Sequence, residues 1–429
     1  MVAGGSVAGL AAAAAVAPYA EQVCVVERHP EAGTAQASIV PQGGLPHVLL
    51  AGGAAALDRL VPGIVRELFE RGAAGDTTGP RPCHWWAFGA VRDHVPDLGA
   101  ELPMASRALV EATLRRRVAA LPNVTLLHGT ATGLAVADQG VAGLETADGG
   151  LPADLVVDGT GRAARGEEWL ARAGFRVPER ERVPVDVSYT AVDVARDPSD
   201  LGGALFAVVQ NDAACARIGV ALPAEGDRWQ VVLGGYFGAS AEPSYDGMLG
   251  FAGSLPDPAI ARLLRNPWVS GVRRHRFPAS ERTRWDKATL PAGHLVVGDA
   301  VASFNPIYGQ GMSSAVLQAE ALAALLRDGR DRRELTRRHA RAARAVAEAP
   351  WRVATGADFL YAETRGSRPP GTDRVNRYLA RVMRRSADDE VVNLALSRVQ
   401  NLMARPESLM HPRIAARVLG GGRLRGAAA

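Results

Sequence analysis

The chain opens Met1-Val2-Ala3-Gly4-Gly5-Ser6-Val7-Ala8-Gly9-Leu10, runs on through alanines to Ala17, and resumes as Gln22-Val23-Cys24-Val25-Val26 before Glu27-Arg28. A strand, a glycine turn, a helix and a second strand closing on an acid is a layout that binds a dinucleotide. Gly4 and Gly5 allow the tight turn, and Gly9 lets the helix pack closely on the strands. The helix N-terminus then offers free N–H groups and a positive dipole end to a pyrophosphate. Glu27, with Arg28 beside it, lies 18 residues beyond Gly9, where its carboxylate can accept hydrogen bonds from a ribose. The middle glycine of the fingerprint is replaced by Ser6, the smallest side chain that still lets backbone approach phosphate. An ordinary turn into a helix would share the glycines; the acid at that distance favours the nucleotide. Ala8 stands where a G-x-S-x-G elbow needs its last glycine, which disfavours a nucleophile-elbow hydrolase. Three residues before Gly4 are few for a buried strand, which usually runs to about five. Either that strand is trimmed or the chain starts upstream of Met1.

A second strand–loop–helix turn lies far downstream. Leu295–Val297 is a short apolar run that ends in Gly298-Asp299, followed by a loop with Phe304-Asn305-Pro306, Tyr308, Gly309 and Gly311, and a helix from about Met312. Such a turn offers further backbone N–H groups, and Asp299 can hold a polyol hydroxyl. Between the two segments, Val183–Val194 alternates at period two. Leu205–Gln210, Ala216–Leu222 and Trp229–Tyr236 read as further strands, with Glu225-Gly226-Asp227 as a turn. Beyond Gly311 the pattern is helical to the end, broken at Arg368-Pro369-Pro370-Gly371. There is no internal repeat.

Composition narrows the partners. Of 429 residues, 47% are hydrophobic and 22% charged, which is ordinary for a globular chain. At roughly 150 residues per domain the length suggests two or three domains. Lys287 is the only lysine, against 48 arginines. From Arg327 onward there are 22 arginines and 11 acids, while residues 1–326 carry 27 basic and 34 acidic side chains. The basic excess therefore belongs to the C-terminal helices, where acids are interspersed. That is the pattern of a solvated helix face, not of a nucleic-acid or membrane surface. Cys24, Cys83 and Cys215 are odd in number and far apart, which argues against disulfides and zinc and for a reducing, cytoplasmic setting. The apolar run Leu10–Ala20 is too short to span a bilayer and lacks a preceding basic residue.

Taken together, the N-terminal fingerprint with Glu27 and the segment Gly298-Asp299 to Gly311 resemble the FAD-dependent aromatic-hydroxylase and monooxygenase superfamily. Ser106-Arg107-Ala108-Leu109-Val110, opening a helix, resembles its arginine-bearing helix start that contacts FAD. Ala153–Arg162, with Asp158-Gly159-Thr160-Gly161-Arg162, resembles its strand that ends near the flavin. Val40-Pro41-Gln42 and Phe304-Asn305-Pro306 are similar to the bacterial polyketide-pathway branch that includes polyether epoxidases. The resemblance covers about residues 1–420.

What the resemblance implies is an α/β fold. A Rossmann-like FAD-binding domain, with a mixed, mainly parallel sheet, comes from 1–75, 98–180 and 285–330. An inserted antiparallel-sheet substrate domain comes from 76–97 and 181–284, and a C-terminal helical region from 331–429. FAD would be held by Gly4, Gly5, Ser6, Gly9, Glu27, Arg28, Gln42, Arg107, Asp299, Pro306, Gly309, Gly311 and Met312. NAD(P)H or a partner flavin reductase would reduce it, and a flavin C4a-hydroperoxide would oxidise a hydrophobic small molecule held by a monomer or homodimer. The aromatics expected to line the substrate pocket are Trp85, Trp86 and Phe88 on one segment and Phe206, Trp229, Tyr236 and Phe237 on another, with plain core packing as the competing role for each. No His/Asp dyad is visible from spacing, which favours an alkene or other nonphenolic substrate.

Two departures keep a different reading open. The epoxidase branch carries an arginine before Val-Pro-Gln and an Arg-His pair after it; here Ala37-Ser38-Ile39 precede and Gly43-Gly44-Leu45-Pro46-His47 follow, so only His47 matches. The Asp-Gly pair of many hydroxylases is Thr160-Gly161 here. Lost cationic groups near the flavin are what a non-redox [4+2] cyclase of the same superfamily, with FAD as a structural element, would show. Flavin halogenases use a lysine beside the substrate and a Trp-x-Trp-x-Ile-Pro segment. Lys287 sits in a turn-like Arg284-Trp285-Asp286-Lys287 stretch and the tryptophan segment is missing.

Overall fold

The computed structural model describes residues 1–29, 43–75, 79–163, 165–210 and 212–420. The N-terminal pattern folds as read. Val2–Ala3 is a two-residue strand that lies between Val23–Glu27 and Val156–Asp158, in a five-stranded parallel sheet ordered His294–Val296, Val156–Asp158, Val2–Ala3, Val23–Glu27, Val124–His128. The first strand is two residues long here, and it is paired on both sides.

Helix Val7–Val16 is buried along almost its whole length. Its alanines leave no bulk on any side, so it lies between the sheet and helices Arg107–Ala119 and Gly311–Arg327. Leu10, Val25, Val157, Leu295, Val316 and Leu322 form the core there. At roughly 25 cal/mol per Å² of apolar surface removed from water, such wholly enclosed side chains dominate the stability of this half.

The second, eight-stranded sheet is ordered Ala302–Ser303, Arg273–Thr283, Arg180–Ala195, Arg228–Gly235, Arg217–Ala224, Ala207–Val209, Arg81–Ala87, Ala90–Val95. All its pairings are antiparallel except Ala207–Val209 with Arg81–Ala87. Along Arg180–Ala195, Val183, Val185, Val187 and Tyr189 are buried while their neighbours are more open, the period-two pattern of a one-sided strand. From Tyr189 onward nearly every residue is buried, because helices Tyr245–Gly253 and Ala259–Leu263 cover the other face. The turn Glu225–Asp227 lies where the sequence puts it, with Gly226 and Asp227 at positive φ. Strand Arg273–Thr283 and the small three-stranded sheet of Ala131–Ala137, Gly140–Thr146 and Gly149–Pro152 were not anticipated.

The C-terminal part is helical: Arg332–Asp358, Thr372–Arg385, Glu390–Gln400 and Pro412–Leu419, with the break across Arg368–Gly371. Its arginines meet acids at the surface. Glu334 pairs with Arg337 and Arg338, Asp389 with Arg385 and Arg417, and Glu407 with Arg352. One basic group is instead buried: Arg92 lies over the Trp85 ring at 4.3 Å and donates to Asn393, Ser397 and Gln400, tying the Arg81–Val95 hairpin to helix Glu390–Gln400. Among the described residues no helix is long and apolar enough to cross a membrane.

Two buried histidines set an acid limit. His294 and His339 are fully enclosed, and one His339 ring nitrogen, Nε2, donates to the Val296 carbonyl at 2.9 Å. Burial pushes each imidazole from 6.5 down to about 4. Between those two values the unfolded chain holds protons that the folded chain does not, so stability falls as pH drops through that window. Melting temperature measured against pH is expected to decline by several degrees there, on the order of 3 kcal/mol for each histidine. His294→Leu should flatten the slope, and an unchanged slope would count against this assignment.

Candidate active site

Backbone geometry at the first turn explains its glycines. Gly4 has φ +101°, and a Cβ on it would sit 2.6 Å from the Gly159 carbonyl oxygen. At Gly9 a Cβ would sit 1.8 Å from the Gly4 carbonyl oxygen, so the helix can lie on the turn only with hydrogen there. Glu27 ends its strand facing this turn. Its carboxylate accepts from the Gly5 N–H at 2.6 Å and from the His29 N–H at 3.0 Å, which fixes both oxygens.

Ser6 is the N-cap residue of helix Val7–Val16, but its side chain does not cap it. The hydroxyl donates to Glu111 Oε1 at 3.0 Å and accepts from Arg107 Nη2 at 3.0 Å. Arg107 Nε donates to the same Glu111 oxygen at 2.9 Å. The serine at the middle-glycine position therefore locks the first helix to helix Arg107–Ala119, whose own start is capped by Ser106 accepting from the Leu109 N–H.

The downstream segment arrives from the next strands of the parallel sheet. His294–Val296 leads to the turn Gly298–Ala300, then Ala302–Ser303, the turn Pro306–Tyr308 and helix Gly311–Arg327. Gln310, the N-cap of that helix, also provides no side-chain cap. Helices Arg107–Ala119, Arg332–Asp358 and Glu390–Gln400 have capped starts. Other helices, such as Ala51–Leu60 and Thr372–Arg385, also start without a side-chain cap, but the starts of Val7–Val16 and Gly311–Arg327 are brought together on one cavity of about 480 Å³. Their N–H groups and aligned dipoles make it a place for anionic phosphate.

Gly4, Ser6, Glu27, Arg28, Arg107, Asp299, Pro306, Gly309, Gly311 and Met312 all line that cavity. Gly5 and Gly9 stand behind it, Gly5 through its bond to Glu27 and Gly9 through its contact with Gly4. Gln42, with Val40 and Pro41, lies outside the described residues. Asp299 projects into the cavity. Burial raises its pKa, and Arg107 and Arg162 pull the other way. Arg107, Arg162 and Asp299 thus share this part of the wall.

The remaining wall comes from elsewhere. Leu45, Pro46, His47, Thr160, Gly161, Arg162, His275, Phe277 and Phe304 line it. Arg162 lies over the Phe277 ring at 4.3 Å and donates to the Ala279 carbonyl at 3.2 Å. One nitrogen of His47, Nδ1, is 2.7 Å from the Leu45 carbonyl oxygen, a contact that requires Nδ1–H as donor. Its Nε2 then carries the lone pair and faces Arg107 Nη1 at 3.5 Å. Burial first, and Arg107 second, push His47 down to about 3. His275 is lowered by burial and by Arg162. Both imidazoles are therefore uncharged at neutral pH.

None of the seven aromatics expected at the pocket lines it. Trp229 is 0% exposed in a core under helices Tyr245–Gly253 and Ala259–Leu263, and its Nε1 donates to Asp200. Phe206 packs edge-on to Trp85 at 6.0 Å in a separate cluster, and Trp85 Nε1 donates to Gln210. Trp86 follows on the opposite face of the strand, and Phe88 takes the tight turn after it with φ 51°. Tyr236 and Phe237 stack with Tyr361 against helix Arg332–Asp358. Tyr236 and Phe237 share a core cluster with Leu45, Phe277 and Phe304 without reaching the cavity, and it is strand Arg273–Thr283 that contributes His275 and Phe277 to its wall. His275 and Phe277 are the functional candidates that reading the sequence passed over. Their signal was the alternation His275, Phe277, Ala279 among Arg274, Arg276 and Pro278.

No family model matches the chain. It is 33% identical over 346 residues to Protein Rv3254 of Mycobacterium tuberculosis, which covers 76% of this chain and 72% of that protein. Among solved structures, it is similar to p-nitrophenol 4-monooxygenase PnpA from Pseudomonas putida DLL-E4 at TM-score 0.68 and 19% identity, over 94% of this chain and 98% of that one. Similarity to the flavin-dependent brominase Bmp2 reaches TM-score 0.66 at 14% identity, over 93% and 92% of the two chains. The Diels-Alderase PyrE3 of pyrroindomycin biosynthesis matches at TM-score 0.61 and 19% identity, over 94% and 80%. The architecture is that of the FAD-binding monooxygenases, and the chain belongs to the same family as Protein Rv3254.

Proposed function

We propose that the protein is an FAD-dependent monooxygenase, an epoxidase or hydroxylase, acting on a hydrophobic polyketide-like metabolite. The observation that carries this is the meeting of two uncapped helix starts, Glu27, Arg107 and Asp299 around one cavity. Those residues fit FAD: the helix starts and Arg107 would hold its pyrophosphate, Glu27 a ribose hydroxyl, and Asp299 the polyol chain. When bound and reduced by NAD(P)H or a partner reductase, the flavin activates dioxygen and supplies the oxygen atom.

The protein's own residues would do the rest. Leu45, Phe277 and Phe304 give the cavity apolar surface against which an apolar substrate excludes water. Arg162, fixed over Phe277, replaces a cation that the loop around Val40–Gln42 does not carry and favours anionic charge in the cavity. His275, neutral on the cavity wall, can accept a hydrogen bond from a substrate hydroxyl, so the site also accommodates a phenol or enol, whereas His47, pushed down to about 3 with its free nitrogen facing Arg107, is too weak a base for that role. Lys287 is exposed on the turn Trp285–Lys287 and is not among the lining residues, which disfavours halogenation.

A second reading stays in view on one observation: the similarity to the Diels-Alderase PyrE3, over 94% of this chain and 80% of that one. In it the same FAD would be structural and the cavity would fold a linear polyene into a ring. One assay divides the two. The protein is loaded with FAD and given NAD(P)H or a reductase, air and linear polyenes or polyketide phenols. A product heavier by one oxygen, with substrate-stimulated bleaching of the flavin, is expected. An isomeric product formed while the flavin stays oxidised would overturn the monooxygenase reading.

A further inference from the structure

Behind the loop that carries Phe304 and Pro306 into the cavity lies a buried polar cluster that none of the cofactor-holding roles uses. Asn305, 0% exposed, is at its centre. Its amide oxygen accepts from the Tyr189 hydroxyl at 2.8 Å and from the Ile307 N–H at 3.3 Å. Its amide nitrogen donates to the Tyr236 hydroxyl at 2.9 Å and to Asp358 Oδ1 at 2.9 Å. Tyr236 in turn donates to Asp358 Oδ1 at 3.1 Å, and the Asn305 N–H donates to Ser280 at 3.1 Å. Every capacity of the Asn305 side chain is filled, from three separate parts of the fold: two strands of the large sheet and the end of helix Arg332–Asp358.

Asp358 is the unusual member. It is 0% exposed, its Oδ2 has no partner among the described residues, and the hydroxyl of Tyr308, on the same loop, is likewise buried without one. The groups facing it are Tyr236 from the end of its strand, Tyr308 and Asn305 from the loop, and Tyr189 behind Asn305; none is cationic. On the following segment, Tyr361 stacks on Tyr236 at 4.9 Å and the Thr364 hydroxyl holds the Asp358 backbone carbonyl at 2.6 Å. A carboxyl group so placed does not serve as an ion-pair anchor. Its charge alters the strength of two hydrogen bonds, one directly from Asn305 on the loop and one from Tyr236, whose hydroxyl also accepts from Asn305.

We propose that Asp358 is a proton-linked positioning residue for the cavity loop, acting through Asn305: ionised, it holds Asn305 and the segment Phe304–Gly309 firmly against the cofactor, and protonated, it loosens that hold. The proposal rests on the FAD reading for its effect on the cofactor, but not for its proton. Burial pushes Asp358 from 3.8 up to about 7, against the pull of Asn305 and Tyr236. The folded protein then keeps a proton that the unfolded chain has lost. The resulting stability is full below 3.8 and disappears as pH rises through about 7.

Two readouts test it in wild type, Asp358→Asn and Tyr236→Phe. The first is the melting temperature of the FAD-free protein against pH; the second is the dissociation constant and visible spectrum of FAD across the same range. Relative to Asp358→Asn, in which the contributions of His294 and His339 are the same and cancel, wild type should lose thermal stability as pH rises from 3.8 to about 7, and it should bind FAD about tenfold more tightly, with a shifted spectrum, as pH passes through the Asp358 midpoint. Asp358→Asn keeps the shape and should abolish the FAD transition, leaving only the histidine-linked change in its melt. Tyr236→Phe removes a donor to the carboxylate and should move both midpoints to higher pH. A wild-type melting curve parallel to that of Asp358→Asn, or an FAD midpoint unchanged in Asp358→Asn, would overturn the proposal. A thermal transition with pH-independent FAD affinity would overturn the coupling to the loop alone. A thermal transition in a protein that binds no FAD would overturn the FAD reading.

Discussion

Gly9→Ala is expected to lose the cofactor and much of the fold's stability together. The added carbon would lie 1.8 Å from the carbonyl oxygen of Gly4, a backbone atom that cannot rotate away. Relief requires moving either the helix Val7–Val16 or the strand–turn before it. That helix is buried on nearly every side, so it has nowhere to go. Overpacking of this kind costs about 3 kcal/mol or more, enough to lower the melting temperature by roughly three to four degrees or more in a chain this size. Any folded remainder would carry its helix start displaced from the cavity and should retain little or no FAD. Thermal denaturation and flavin content of the purified variant check both halves of this expectation. A variant with wild-type stability and flavin would mean that the turn is far more pliant than its geometry allows.

Arg107→Ala should have the next largest effect, through two losses at once. Arg107 and Glu111 are both buried, at 2.9 Å, and Arg107 also holds Ser6 and faces His47. Removing the guanidinium takes a charge partner at 2.9 Å from a buried carboxylate, a change that costs about 3–5 kcal/mol when a buried pair is broken. It also frees Ser6 and takes one of two guanidinium groups from beside Asp299. FAD affinity should fall by about a hundredfold or more, since a charge-assisted contact to phosphate and its positioning both disappear. Arg107→Lys keeps the charge but not the fork that reaches Ser6 and Glu111 together, and should fall between the two. Fluorescence titration with FAD and a thermal melt distinguish these cases; equal affinity in all three proteins would remove Arg107 from the cofactor site.

How far the sequence discloses this site differs from part to part, for physical reasons. The glycine turn, Glu27, Asp299 and the loop Pro306–Gly311 are legible because backbone constraints act locally. A missing Cβ or an acid after a strand has the same consequence wherever the rest of the chain goes. The role of Ser6 was only half visible: its small size could be read, but its partners Arg107 and Glu111 lie about a hundred positions away. The aromatic residues misled because period two says which side chains share a face, not what that face meets. Trp229 and Phe206 are buried as a hydrophobic face should be, but under helices and loops, not against the cavity. Strand Arg273–Thr283 escaped notice since arginines and a proline dominate its composition, although its alternate residues His275 and Phe277 complete the cavity. The Asn305–Asp358 cluster unites four distant segments, and no local pattern announces it.

The functional assignment depends on the cavity being an FAD site, and its stoichiometry tests that most directly. The protein is stripped of bound nucleotide, titrated with FAD, and the bound flavin counted per chain by absorbance after removal of excess. One FAD per chain in wild type, sharply reduced in Arg107→Ala, is the expected result. A folded wild-type protein that takes up no FAD, or takes it up equally well without Arg107, would contradict it.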